Sequence, residues 1–91
     1  MNKRERDAEE KLEETAAADP NLLTGFKHYK YGSFCLQAGD IERAESNLLK
    51  AKVLIEPVFQ PFTNLYMNLG NIEAQKKNYQ GAIDNYQKVI Q

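Results

Sequence analysis

The chain repeats itself with a period of 38 residues. Two glycine–alanine pairs, Gly32 with Ala44 and Gly70 with Ala82, have the same internal spacing and lie one period apart. The same alignment pairs Gln37 with Gln75, Asn47 with Asn85, Lys50 with Lys88, and the apolar residues Tyr31 with Leu69, Phe34 with Ile72, and Leu48 with Tyr86. An internal period of roughly 20–50 residues is typical of stacked repeat arrays, whose extended surfaces generally hold other proteins.

The composition restricts the classes of protein to which this chain can belong. Its 91 residues suffice for one small domain, and a net charge of −1 provides no field for a polyanion, so nucleic acid is not expected as a partner. Cys35 is the single cysteine, which excludes an intrachain disulfide and fits the cytoplasm or another reducing compartment. No apolar run approaches the roughly 18 residues that span a bilayer, so membrane insertion is not expected.

The first half of the chain is predicted to form two helices. Residues 5–18 are rich in Glu, Ala, Lys and Leu, and Asp19-Pro20 is expected to end that helix because a residue before proline is pushed out of the α region. A second helix is predicted to begin at residue 22 or 24 and to run to residue 38. Gly39-Asp40 is a turn signal, since Gly39 can adopt a left-handed conformation and Asp40 can cap the next helix.

The second half is predicted to form three more helices. Apolar residues at helical spacing indicate a third helix over residues 41–55. Pro61 suits the first turn of a fourth helix that continues to about residue 77, and Asn78 is expected to cap a fifth that starts at residue 79. Five helices joined by short turns predict an all-α antiparallel array.

The recurring small residues predict where the helices cross. Two packed helices normally keep their axes about 8–10 Å apart, at a distance set by the side chains between them. Gly32 on the second helix is expected to face Ala44 on the third, and Gly70 is expected to face Ala82. These four residues are therefore interpreted as structural.

Around these positions the chain resembles the tetratricopeptide repeat family, whose 34-residue unit carries Leu-Gly, Gly-Asp-Tyr, a central Ala, an aromatic residue and a closing Pro. The matching residues are Tyr31-Gly32 and Leu69-Gly70, Gly39-Asp40-Ile41 and Asn78-Tyr79, Ala44 and Ala82, and Leu48 and Tyr86. The resemblance implies an α-solenoid of antiparallel helix pairs with a right-handed superhelical twist.

The resemblance also implies a division of the single domain of residues 1–91. Residues 5–20 look like the trailing half of an earlier repeat or a capping helix. Residues 22–57 look like a first full repeat and residues 58–91 like a second, truncated one. The truncation predicts that the chain is a piece of a longer array or that another copy covers its last helix.

Two departures from the family pattern carry further predictions. The period is 38 residues rather than the family's 34, and the four additional residues are expected to lengthen the start of the fourth helix by about one turn. Glu73 stands where the family usually has a buried tyrosine. Its carboxylate is expected to reach solvent or a partner, because burying it unpaired is costly.

The family's concave groove is lined by the first helix of each repeat. The resemblance places ten residues of this chain there: Phe26, Tyr29, Lys30, Ser33, Gln37, Asn64, Met67, Asn68, Asn71 and Gln75. The spacing of Asn64, Asn68, Asn71 and Gln75 puts four amides on one helix face, where they present both donors and acceptors to the backbone of an extended peptide. The alternative is that these amides only keep an outer face soluble.

Catalytic and cofactor chemistry find little support in the sequence. His28 and Cys35 lie about 10.5 Å apart along one helix, too far for a thiolate–imidazole pair. One His and one Cys do not make a zinc site, and no phosphate-binding loop occurs, so no cofactor is expected.

The sequence therefore predicts a non-catalytic scaffold that binds a peptide or helix of another protein in its groove. Two alternatives stay open. One is a self-assembly module that forms homo-oligomers through uncovered terminal helices. The other is a repeat segment that positions a catalytic domain outside this chain.

Overall fold

A computed structural model describes residues 2–90 of the chain, and within that range the fold is all-helical without strands. The five helices are α1 (Lys3–Ala16), α2 (Pro20–Gln37), α3 (Ile41–Ile55), α4 (Thr63–Gln75) and α5 (Tyr79–Ile90). The number of helices and the bounds of α3 agree with the prediction. The main pairings are α2 with α3 and α4 with α5.

The start of α2 differs from the prediction for a local reason. Helix α1 ends at Ala16, three residues before Asp19, and α2 begins at Pro20 rather than at residue 22 or 24. Asp19 Oδ1 accepts hydrogen bonds from the backbone N–H groups of Asn21 (3.1 Å) and Leu22 (3.2 Å). Asp19-Pro20 therefore starts the second helix, with an N-cap followed by a proline at the first helical position, rather than ending the first.

The turns after α2 and α4 are built alike, one period apart. The N–H of Asp40 donates to Cys35 O (2.9 Å), and the N–H of Asn78 donates to Glu73 O (2.8 Å). Gly39 before the first has φ +85°, as predicted, and Lys77 before the second has φ +64°. Asp40 and Asn78 then cap α3 and α5 through the N–H groups three residues on, at 3.3 and 3.2 Å, which confirms both predicted caps.

The crossing glycines lie where α2 packs against α3 and where α4 packs against α5. Gly32 faces the backbone of Ala44 as predicted, but Gly70 does not face Ala82. A Cβ at Gly32 would lie 2.8 Å from Leu48 Cγ and 3.3 Å from Ala44 O. A Cβ at Gly70 would collide with the ring of Tyr86, and Ala82 is not among its nearest neighbours. Each glycine thus makes room for the large side chain one turn beyond the alanine, which the spacing argument did not anticipate.

The connection between α3 and α4 absorbs the additional length of the repeat. Helix α4 starts at Thr63, so Pro61 precedes the helix and the predicted lengthening of α4 was wrong. Phe62 is fully buried, and its ring lies 4.8 Å from the ring of Tyr29 and 6.0 Å from that of Phe59. The additional residues form a connection held to the core by the buried side chain of Phe62.

Candidate functional site

An open cavity lies between α2 and α4, on the face where the amide row was predicted. Its volume is about 270 Å³, below the roughly 300–1,000 Å³ of pockets that enclose small molecules. We call it the amide groove, and it is lined by Glu5, Tyr29, Ser33, Leu36, Gln37, Asn64, Met67, Asn68 and Asn71. Seven of the ten predicted residues line it; Phe26, Lys30 and Gln75 do not.

Hydrogen bonds hold the amide side chains of the groove in place. Asn68 Nδ2 donates to Ser33 Oγ at 2.9 Å, and Ser33 Oγ donates to Tyr29 O at 2.8 Å. Asn71 Oδ1 accepts from the hydroxyl of Tyr86 at 2.5 Å. Within residues 2–90, Asn68 Oδ1 and Asn71 Nδ2 take part in no hydrogen bond. Adjacent turns of α4 therefore offer one acceptor and one donor of fixed orientation.

Asn64 is the buried polar side chain of the groove. Its Nδ2 donates to Glu5 O at 2.9 Å and to the Tyr29 hydroxyl at 3.3 Å. Its Oδ1 is buried and has no hydrogen-bond partner among the described residues. An unpaired buried acceptor of this kind costs free energy, on the order of 1–3 kcal/mol, until a donor reaches it.

Three residues predicted to contact a partner are already engaged within the chain. Phe26 and Tyr29 are buried in the core. The Tyr29 hydroxyl donates to Glu9 at 2.5 Å, and burial followed by this hydrogen bond raises the pKa of Tyr29 well above its usual value. Lys30 Nζ lies 3.4 Å from the same carboxylate of Glu9. Helix α1 thus occupies the part of the surface assigned to these side chains.

Two groove residues went unrecognised in the sequence. Leu36 follows Ser33 by three positions, so its helical spacing was the available signal. Glu5 reaches the groove only because α1 folds back across α2 and α4, and nothing in the local sequence encodes that packing. Gln75, at the end of α4, is exposed beyond the cavity.

Glu73 finds its partner inside the chain. Asn78 Nδ2 donates to Glu73 Oε2 at 2.6 Å, and Lys76 Nζ lies 3.8 Å from Oε1. Lys76 also lies 2.8 Å from Glu45 on α3, and that hydrogen bond raises the pKa of Lys76. The carboxylate in the family's tyrosine position is therefore paired, as predicted.

The candidate chemical groups lie apart. His28 Nδ1 lies 2.9 Å from Asn47 Oδ1, and Cys35 is buried in the core. Among residues 2–90 no three His, Cys, Asp or Glu side chains are arranged to hold a metal ion. In the same part of the chain, no helix combines the length and apolar character needed to cross a membrane.

Large apolar side chains are uncovered at the two ends of the helix pairs. Tyr31 and Phe34 on α2 are 48% and 60% exposed, whereas their equivalents on α4, Leu69 and Ile72, are 6% and 0% exposed. On α5, Ile83 is 48% and Ile90 83% exposed. The face of α2 that corresponds to this buried face of α4 is therefore exposed.

We compared the chain with protein-family models, with curated proteins and with solved structures, and none of the three comparisons found a match. The resemblance to tetratricopeptide repeats is therefore carried by the residues of this chain alone.

Proposed function

We propose that this protein is a non-catalytic interaction scaffold of the tetratricopeptide type that binds a peptide or helix of another protein in the amide groove. The observation that carries the proposal is the pair of unpaired polar atoms, Asn68 Oδ1 and Asn71 Nδ2, on adjacent turns of α4. An extended peptide offers the complementary N–H and C=O from its backbone, whereas a helix, whose backbone groups are paired internally, offers polar side chains to the same two atoms. Amides held by Ser33 and Tyr86 are already oriented, so less entropy is lost when a backbone binds them.

The shape of the groove supports a polypeptide rather than a small molecule. The cavity is open and small, and Met67 and Leu36 supply apolar surface beside the amides. A flexible thioether adapts to different side chains. This combination favours a partner whose backbone is held by hydrogen bonds while its side chains are read loosely.

The test uses peptides selected from a random display library against the wild-type chain. The double variant Asn68→Ala/Asn71→Ala should bind them roughly tenfold or more weakly, because two hydrogen bonds are lost. The matched control, Gln80→Ala/Gln87→Ala, removes two exposed amides from α5 and should leave affinity unchanged. Equal affinity of both double variants, each checked for folding by circular dichroism, would exclude amide-groove binding.

A second candidate function is self-assembly, favoured by the uncovered apolar residues at both ends. In the chain, the α4 face that includes Leu69 and Ile72 is buried, and α3 packs against α4. The equivalent α2 residues, Tyr31 and Phe34, and the open α5 residues, Ile83 and Ile90, would pair in the same way between copies. Light scattering over a wide concentration range tests this, and a strict monomer throughout would rule it out.

A further inference from the structure

Helix α1 lies on the same face of the molecule as the amide groove. It comes within 8 Å, between Cα atoms, of residues on α2 and α4, the two helices that form the groove. Within residues 2–90 it does not approach α3 or α5 to that extent. Its Glu5 is itself part of the groove lining. Helix α1 therefore covers one end of the groove and leaves the amide end open.

The position of α1 leaves uncovered two residues of α2 whose equivalents on α4 are buried. These two residues are Tyr31 and Phe34. Both residues are exposed, whereas Leu69 and Ile72 at the equivalent positions are buried. Helix α1 packs instead against the side of α2 that presents Tyr29 and Lys30. It behaves as an occupant of the groove face rather than as a member of the helix stack.

The contacts of α1 form a compact recognition pattern. Leu12 and Ala16, one turn apart, are fully buried against the core. Glu9, three residues before Leu12, accepts from the Tyr29 hydroxyl and lies beside Lys30 Nζ. The carbonyl of Glu5 accepts from Asn64 Nδ2. This helix is therefore held on α2 and α4 by two apolar side chains, one carboxylate and one backbone carbonyl.

We propose that α1 is an intramolecular ligand of the face of α2 and α4 that borders the amide groove, and that the partner is an acidic amphipathic helix that displaces it. This inference rests on the proposed function and names the partner's chemistry: a carboxylate three residues before a large apolar residue, and a small apolar residue one turn later. The phenol of Tyr29 and the ammonium of Lys30 recognise the carboxylate, since a charge-assisted hydrogen bond is stronger than a neutral one.

Exchange is feasible because α1 is held by few side chains. Only Leu12 and Ala16 are buried in it, and Glu10, Glu13 and Glu14 face solvent. A helix of 14 residues is marginal in isolation. The tether of residues 17–19 keeps it at an effective concentration of roughly millimolar. A partner helix with a larger apolar face displaces α1 when the ratio of its concentration to its Kd exceeds the ratio of that effective concentration to the Kd of α1.

The direct test supplies α1 in trans to the full chain. The probe is a fluorescent peptide with the sequence of residues 2–17, and the acceptor is the Leu12→Glu variant, whose own α1 carries a charge at a buried position. We expect the peptide to bind this variant at least tenfold more tightly than the wild type. A Glu9→Gln peptide should bind more weakly, while the matched Glu10→Gln peptide, altered at an exposed carboxylate, should bind as the parent does.

A second measurement covers the case in which Leu12→Glu fails to fold. Hydrogen exchange of the wild-type chain should show α1 amides exchanging at least tenfold faster than those of α3, because α1 opens locally. Equal protection of α1 and α3, or a peptide that does not bind a folded Leu12→Glu variant, would overturn the inference. Neither result touches the proposed function, which is lost only if Asn68→Ala/Asn71→Ala leaves binding of selected peptides unchanged.

Discussion

The two helix pairs, α2 with α3 and α4 with α5, have the same turn and the same crossing glycine but different side chains at the crossing. Both pairs close with the same turn hydrogen bonds, and both place a glycine where the helices cross. At the crossing, the first pair inserts a fully buried leucine, Leu48, and the second inserts a partly exposed tyrosine, Tyr86.

The difference shows how the repeat divides its tasks. The backbone positions that require special geometry recur every 38 residues, because turns and crossings admit few solutions. The side chains that contact neighbouring helices differ between the two pairs, because each pair has different neighbours. Because Leu48 is fully buried and Tyr86 is partly exposed, the first pair is expected to hold more of the folding free energy at its crossing.

The largest effect is expected from truncating the side chain at the crossing. Leu48→Ala should lower the free energy of unfolding by about 3 kcal/mol, because it leaves a cavity in a fully buried site. Tyr86→Ala should cost less, about 1–2 kcal/mol, since its ring is partly exposed and its loss mainly removes the hydrogen bond to Asn71. Urea unfolding measures both, and equal losses would contradict the assigned asymmetry.

Adding a methyl group at Gly32 or Gly70 tests the same asymmetry by enlarging the residue that faces Leu48 or Tyr86. Gly32→Ala should destabilise by about 1–3 kcal/mol, since Leu48 and the Ala44 carbonyl cannot move away. Gly70→Ala should cost about 1–2 kcal/mol, because the partly exposed Tyr86 can swing outward but then loses its hydrogen bond to Asn71. Thermal unfolding followed by circular dichroism compares them, and a larger loss at Gly70 would reverse our interpretation.

The two left-handed turn residues should respond in opposite directions. Gly39→Ala should cost about 1 kcal/mol through backbone strain alone, because no atom lies within 4 Å of its added Cβ. Lys77→Gly should stabilise by up to about 1 kcal/mol, since a strained residue at the equivalent position is relieved. Chemical denaturation resolves both changes, and stabilisation by Gly39→Ala would show that the turn relaxes.

A smaller, pH-dependent effect distinguishes the two buried tyrosines, Tyr29 and Tyr66, from an exposed tyrosine. Burial, followed by hydrogen bonds to Glu9 and Glu56, raises the pKa of Tyr29 and of Tyr66 above the ordinary value. The native state therefore holds these protons more tightly, so the contribution of these two tyrosines to stability should be constant below about pH 10 and fall as the pH rises further. Tyr29→Phe and Tyr66→Phe should each flatten that fall in unfolding experiments between pH 8 and 11. Tyr79→Phe, at an exposed position, is the control and should not.

Much of the fold follows from local signals in the sequence. The turn at Gly39-Asp40 and the cap at Asn78 are encoded within a few residues, and the structure has both. The start of α2 was misjudged because Asp19-Pro20 can either stop one helix or begin the next. The path of α1 across the groove depends on tertiary contacts of Glu5 and Glu9, for which no local pattern exists.

The candidate site was likewise predictable where it depends on local spacing, and not where it depends on tertiary contacts. Helical spacing placed Asn64, Asn68 and Asn71 on one face, and they line one cavity. Spacing does not show which of their polar atoms are already used inside the chain. The resemblance places Tyr29 in partner contact because it treats α1 as a half-repeat or capping helix, whereas Glu9 of α1 contacts Tyr29 and the side chain is buried.

The connection before α4 bears on any attempt to edit the length of this repeat. Pro20, where α2 begins, is equivalent to Val58, which lies outside a helix, so the two repeats use this stretch differently. The stretch carries Phe62 into the interior against Tyr29. Shortening it to the family's 34-residue length would withdraw the Phe62 ring from Tyr29 along with the surplus chain. The longer repeat thus fills interior volume with the side chain of Phe62. A redesign to the family's length would have to fill that volume with another side chain.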